Sequence, residues 1–252
     1  MAELIGQLSA LSGLAESAIW HFALVLFRVG AAVALIPALG EIVVPQRIKL
    51  FAALTLTLII APAVPGAAPG VLAFIAEAVT GLALGIGLRL MVLGLQTAGS
   101  FASQSISLAQ MMAGTGPEPQ PVFGNVLVMA GLAIFVAIGG LSHAVELILM
   151  SYQVVPLGQS PDPAVLADWG LGRIVRVFAL AFSLAAPFVV GALLYNLALG
   201  AINRAMPSLM VVFIGAPALM FGGLVLMAIA APLLLMVWRD AVLQVLSSPF
   251  GP

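Results

Sequence analysis

The 252 residues are 63% hydrophobic and only 7% charged, with a mean hydropathy of +1.25, whereas soluble domains carry about 25% charged residues. A net charge of −1 leaves no basic footprint for nucleic acid and no acidic tail, and the lack of cysteine excludes disulfides, thiolate metal sites and cysteine nucleophiles. The composition predicts an all-α, polytopic integral membrane protein in contact with lipid.

Residues 1–17 are weakly amphipathic, with Leu4, Leu8 and Leu11 at helical spacing, and suit an interfacial helix. Glu3 and Glu16 precede the first apolar run and no basic n-region is present, so the first span is expected to stay in the mature protein. That segment, Ile19 to Leu39, is interrupted by Arg28 and ends at Pro37 and Gly40. A charged turn, Glu41 to Lys49, holds Pro45, Arg47 and Lys49. Leu50 to Ala61 has 12 residues, about 18 Å at 1.5 Å per residue against a hydrocarbon core of roughly 30 Å, and reads as too short for a simple span. Val71 to Leu95 contains Gly81, Gly85 and Gly87, a face for close helix contact.

Gln96 to Pro121 is the longest interval in the first 150 residues that is not plainly apolar. Gly99, Ser103 and Ser107 recur at helical spacing, which places them on one face where another backbone can approach or a pathway can run, and Gln96, Ser100 and Gln104 form a polar row beside them. Gln110, Met111 and Met112 then lead into Gly114, Gly116, Pro117, Pro119 and Pro121, which cannot continue a helix. Irregular backbone at membrane depth requires burial in protein or a water-filled cavity. A polar helix thus ends in a Met-tipped, irregular loop, which reads as lining or closing a pathway, with a surface loop between spans as the alternative. Flexible, polarisable methionines suit a seal that yields when something passes.

Phe123 to Met150 is predicted as one long apolar helix bearing Gly139, Gly140, His143 and Glu146. Ser151 to Gly170 is the soluble-looking linker, with Asp168 placed to cap the next helix. Leu171 to Ile202 and Pro207 to Val237 form a helical hairpin split at Asn203 and Arg204, with breaks or kinks expected at Pro187, Pro217 and Pro232. No internal repeat supports an inverted-repeat transporter. Six simple spans would put Arg47, Lys49 and Arg204 on one side and Arg173, Arg176 and Arg239 on the other, so the positive-inside rule assigns no orientation. That tie and the short second segment suggest helices that pack on partner proteins.

Arg28, Glu77, Arg89 and Glu146 lie within apolar blocks. An embedded charge costs about 2.5 to 3.5 kcal/mol on insertion scales and usually faces a bundle interior or cavity; these four are expected to be buried, either pairing with one another or serving a pathway. His143 and Glu146, three apart, share a helical face, where His143 is either a relay or a satisfied interior histidine. Ser142 and His143 are neighbours that point apart, with no nucleophile elbow around them. Residues 81–87 lack the Lys-Ser or Lys-Thr of a phosphate loop, and His21 is isolated, so no catalytic, metal or cofactor site is expected.

The run from Asn196 to Met227 resembles the C-terminal signature of the FliR family of flagellar and injectisome export-gate proteins. Asn203, Arg204, Pro207, Phe213, Gly215 and Pro217 match in order and spacing, while Ser208 and Ala216 replace the usual Gln and Phe. Arg28, Val29, Pro37 and the run Val44 to Leu50, with Pro45 and Arg47, are similar to the family's first helix and its Pro-x-Arg-x-Lys turn; Thr97, Ala98, Gly99 and Phe101 resemble its third block. The resemblance implies a FliP-like portion over 1–160 and a FliQ-like hairpin over 161–252, joined to FliP-like and FliQ-like subunits and to FlhB-like and FlhA-like components at the basal body in the bacterial inner membrane. It also implies a plug loop near 107–116, with plug side chains near Gln110, Met111 and Met112, that opens for unfolded export substrates without a cofactor or catalysis. An injectisome subunit is the near alternative. A small-molecule secondary transporter using the four embedded charges, and less so an intramembrane hydrolase using Ser142 and His143, are the rivals.

Overall fold

The computed structural model describes residues 2–66, 70–112, 122–206 and 211–250. Among these, seven α-helices and one 3-10 turn occur and no strand does. The expected all-α membrane architecture is present: five helices are long and apolar enough to cross a membrane, or six spans if one bent pair counts as a single crossing.

Helix α1 (Ala2–Val33) fuses the amphipathic start and the first apolar block, since nothing between them breaks a helix. The chain leaves it before Pro37, where Ala38 adopts a left-handed φ of 72°. Helix α2 (Gln46–Ile60) begins directly after Pro45 at the N-cap and runs into the 3-10 turn Ala61–Ala63. Counting Arg47 and Lys49 as helical corrects the expected short segment: Gln46–Ala63 is an 18-residue candidate span, about 27 Å long. Charged residues at a helix end can snorkel to the interface while their stems remain in the apolar layer.

Helix α3 (Val71–Met112) is one 42-residue helix that continues through the polar interval. The hydroxyls of Thr97, Ser100 and Ser105 donate to the carbonyls of Leu93, Gln96 and Phe101, one turn back, so these polar side chains are satisfied without leaving the helix. The single helix expected over 123–150 is instead two, α4 (Val122–Ala137) and α5 (Gly140–Val154). Gly139 sits between them at φ +74°, where it starts α5 from a left-handed residue that a side chain would strain.

Helix α6 (Pro163–Ala205) starts earlier than expected, and its cap is Asp162, not Asp168. The Asp162 carboxylate accepts from the N–H groups of Ala164 (2.8 Å) and Val165 (3.5 Å), while Pro163 at the first helical position has no N–H to satisfy. Asp168 is an exposed residue inside the helix. Helices α6 and α7 (Val211–Ser247) run without a break through Pro187, Pro217 and Pro232, so of the expected breaks or kinks the breaks do not occur; membrane helices tolerate proline where neighbours and local adjustment satisfy the freed carbonyl.

The helices contribute to two compact units, each assembled from separated stretches. One comprises Met1–Arg89, Ile138–Gly172 and Leu246–Pro252; the other comprises Leu90–Ala137 and Arg173–Val245. In the first, α1 and α3 touch backbone to backbone: a Cβ on Gly81 would overlap the Arg28 carbonyl, and one on Gly85 would lie 2.9 Å from the Ala32 carbonyl. Trp169 lies against Gly87 and donates its indole N–H to the Pro249 carbonyl at 3.0 Å.

Candidate functional site

The first unit is built around a buried ion pair. Arg28 on α1 and Glu77 on α3 are both fully buried, and the guanidinium forks onto the carboxylate through Nε (2.7 Å to Oε2) and Nη2 (3.0 Å to Oε1). The forked, two-bond contact sets opposite groups at hydrogen-bond distance, the geometry that best offsets the cost of burying them. Two further donors are engaged: Nη1 reaches Ser151 Oγ at 3.1 Å and Nη2 reaches the Val155 carbonyl at 3.0 Å. Glu77 Oε1 accepts a third bond from the Gly158 N–H at 2.7 Å, delivered by a turn in which Gly158 has φ +80°. The Tyr152 ring lies 3.9 Å from the Arg28 guanidinium carbon, a cation–π contact on the remaining face. Ser151 donates its own hydroxyl proton to the Ile148 carbonyl at 2.6 Å. The node thus joins α1, α3, α5 and the segment 155–158.

The other two embedded charges behave differently. Arg89 is partly exposed and pairs with Glu41, a residue outside the expected set. Glu146 is exposed on α5, and among the described residues it forms no salt bridge, so it is not buried within this chain as expected. The cause is register: Ala144, Leu147, Ile148 and Ser151 form the buried face of α5, and position 146 falls opposite. His143 does not engage Glu146; its Nδ1 donates to the Gly139 carbonyl at 3.0 Å, closing the first turn of α5. Ser142 is exposed. Among the described residues, no three His, Asp or Glu side chains gather as metal ligands.

In the second unit Gly99 is buried where α3 meets α4, and a Cβ there would overlap the Gly124 backbone. Ser103 comes one turn later, its hydroxyl buried and without a partner among the described residues. Ser107, Gln110, Met111 and Met112 continue α3 to its end, while Gly114 and Gly116 lie outside the described residues. The polar interval is helical through Met112, as the spacing of Gly99, Ser103 and Ser107 implies, so residues 107–112 of the expected plug loop are helix and 113–116 lie outside the described residues. Trp238, fully buried, donates its indole N–H to the Met91 carbonyl at 2.8 Å and stacks beside Gly131.

Of the C-terminal signature, Asn203 and Arg204 are exposed in the last turn of α6 and Pro207 lies outside the described residues. Gly215 is buried: its carbonyl accepts the Tyr195 hydroxyl at 2.6 Å, and an added Cβ would meet Leu199 at 2.9 Å. Pro217 is exposed within α7, and at the other end of the chain Pro45 and Arg47 are exposed at the start of α2. Asn196, Gly200 and Arg204 line an open concavity of about 540 Å³ along α6.

Ser151, Tyr152, Val155, Gly158 and Trp238 were not legible as partners of these groups. Gly158 followed by polar residues marks a turn, but nothing local points it at Glu77.

A family model described as bacterial export proteins, family 1, matches residues 19–245. The chain is 33% identical over 228 residues to the flagellar biosynthetic protein FliR of Caulobacter vibrioides, covering 86% of this chain and 91% of that one. It is 31% identical over 219 residues to FliR of Escherichia coli, covering 83% of each, and 24% identical over 216 residues to FliR of Aquifex aeolicus, covering 82% of this chain and 84% of that one. With the match running from α1 into α7 and taking in both the Arg28–Glu77 node and the Asn203 to Pro217 signature, the chain belongs to the FliR family of bacterial export proteins.

Proposed function

We propose that the chain is an integral membrane subunit of the flagellar type III export apparatus, forming part of the gated conduit through which unfolded proteins cross the inner membrane during flagellum assembly. The observation that carries this is the family match over 19–245, joined to curated relatives that are all flagellar FliR proteins; the latter favours a flagellar over an injectisome system. The chain itself catalyses no reaction, and energy comes from other components. Its partners are FliP-like and FliQ-like membrane subunits, with FlhB-like and FlhA-like components beside them at the basal body. Large apolar side chains exposed along α2 and α7, such as Phe51 (72%) and Phe221 (70%), suit helices covered by lipid and by those partners. Within the chain, 1–160 corresponds to a FliP-like portion and 161–252 to a FliQ-like hairpin.

In this reading the end of α3 and the residues after it, 107–116, plug the conduit, with Met111 and Met112 as the yielding seal. Gly99 and Ser103 lead toward it along the same helix. A solute transporter would instead need Arg28 and Glu77 free to exchange partners, and their multiple hydrogen bonds to each other and to 151–158 support a structural role.

The first test is the mass of the detergent-extracted complex when the tagged chain is co-expressed with its FliP-like and FliQ-like neighbours. A large assembly with one copy of this chain is expected; elution of the 25.8 kDa chain alone would reject the reading. The seal is tested in that assembly by Met111→Ala with Met112→Ala, which should raise ion permeability without loss of subunits.

A further inference from the structure

The turn that leads into α2 displays apolar side chains where a turn ordinarily displays polar ones. Residues 41–44 close on a bond from the Val44 N–H to the Glu41 carbonyl (3.0 Å), and the corner between them is Ile42 and Val43. Gly, Pro, Asn, Asp and Ser dominate such corners. Ile42 is 96% exposed and Val43 91%, more than any other large apolar side chain among the described residues. The turn is also held from beneath. The Gly40 N–H donates to the Ile36 carbonyl at 2.7 Å, Lys49 Nζ donates to the Gly40 carbonyl at 3.0 Å, and Glu41 pairs with Arg89 of α3. Two β-branched side chains are thus presented on a fixed backbone. Arg47, Lys49 and Arg89 accompany them against the single acid Glu41, an excess of two positive charges. Arg47 is exposed in the first turn of α2 and forms no ion pair among the described residues.

The turn lies at the end of a candidate membrane span, Gln46–Ala63, about 27 Å long. The same rise carries α3 from Val71, its first residue, to Arg89 beside the turn. Two helices therefore reach the level of the turn over equal lengths, and both bear their cations there. We infer that residues 41–44, with Arg47 and Lys49, form a lipid-anchoring site: Ile42 and Val43 enter the boundary between headgroups and acyl chains, and the cations bind the phosphate of an anionic phospholipid. The inference rests on the membrane location of the chain and not on its part in export. Charge and shape set the occupant. Phosphate lies just outside the acyl layer, so an apolar tip beside basic side chains meets both of its partners in one interface. A convex corner of two residues is a small part of the roughly 800 Å² per side that a stable protein interface buries, whereas fluid lipid closes around a corner of any shape. Anchoring here would also fix the depth of α2, which is slightly shorter than a hydrocarbon core of roughly 30 Å.

The test uses the full chain, reconstituted with the neighbours it is extracted with, in nanodiscs of phosphatidylcholine with or without phosphatidylglycerol. The sequence has no cysteine, so Val43→Cys supplies a single thiol for an environment-sensitive fluorophore. A spin label on the acyl chains should quench that fluorophore, and iodide in the water should not. Phosphatidylglycerol should be enriched over phosphatidylcholine in the lipid that stays bound through detergent extraction. Arg47→Gln should reduce the enrichment about fivefold, the worth of one basic residue at an anionic surface. Arg47→Lys should retain it, which separates loss of charge from loss of fold. Quenching by iodide and not by the lipid label would overturn the inference, as would shielding from both, the result if a protein covers the turn. Equal enrichment in Arg47→Gln and the parent would overturn it too. None of these results bears on the export-gate reading, which stands or falls on recovery of the neighbouring subunits.

Discussion

The two compact units solve the same problem with different emphasis: both bring helix backbones together at glycines, and the first adds a buried ion pair. Helices in a membrane gain little from hydrophobic association, since lipid is as apolar as a leucine side chain, and must be joined by hydrogen bonds or by close packing. The first unit uses polar attachment: one arginine and one glutamate, both fully buried, gather three helices and a loop. The second relies on closeness, with Gly99 on the Gly124 backbone, Gly131 beside Trp238 and Gly223 against Ile106. A polar node is unforgiving, because removing one partner strands the other's charge. A packed contact fails more gradually, in proportion to the volume added or removed.

That contrast predicts the largest loss in the first unit. Arg28→Ala or Glu77→Ala should each destabilise the chain by about 3–5 kcal/mol, as expected when half of a buried pair is removed. Thermal unfolding of the detergent-solubilised protein, or its accumulation in the membrane, would register this. Replacing both by leucine and methionine should cost less than the two single changes together; strictly additive losses would mean the two side chains do not act as a unit.

The second unit should respond next. Gly99→Val drives a branched side chain into the Gly124 backbone, which cannot rotate away, and should cost about 1–3 kcal/mol. Gly131→Ala should cost less, because the nearest atom it meets is the terminal methyl of Leu95, which can move. Equal melting temperatures for the two glycine variants would break the idea that backbone contact sets the penalty.

Smaller effects discriminate further. Trp238→Phe keeps most of the buried ring area but loses the bond to the Met91 carbonyl, a change of about 1 kcal/mol. Tyr195→Phe should cost about 0.6 kcal/mol, the usual worth of one hydrogen bond between membrane helices. At the small end, Glu41→Gln removes a partly exposed pair with Arg89 and should change stability by at most about 1 kcal/mol. A loss there comparable to that of Glu77→Ala would show that exposure is not what separates the two acidic residues.

Much of the helical layout is readable from hydropathy alone. Residues 96–106 are helical as their four-residue spacing implies, with Thr97, Ser100 and Ser105 satisfied by their own helix; the overreach is in starting the plug loop at 107. Arg47 and Lys49 suggested a turn where α2 already begins. Asp162, six residues before the expected cap, wins because Pro163 behind it can start a helix but not continue one. Gly139 shows the reverse: in an apolar run it reads as a packing residue, and only its left-handed backbone reveals the break.

The order and kind of residues establish that this chain is helical and membrane-embedded, that charges in its apolar segments demand partners, and, through Asn203 to Pro217 and the two earlier blocks, which family it resembles. Those properties rest on composition, period and motif order, which are local. Which charge meets which is settled only when the helices pack: Glu77 comes to Arg28 across 49 residues and the Gly158 N–H comes to Glu77 across 81, while Glu146 is left facing outward. Pairing depends on helix rotation and on where glycines let backbones touch. No single run of residues encodes either, because both are properties of two helices at once.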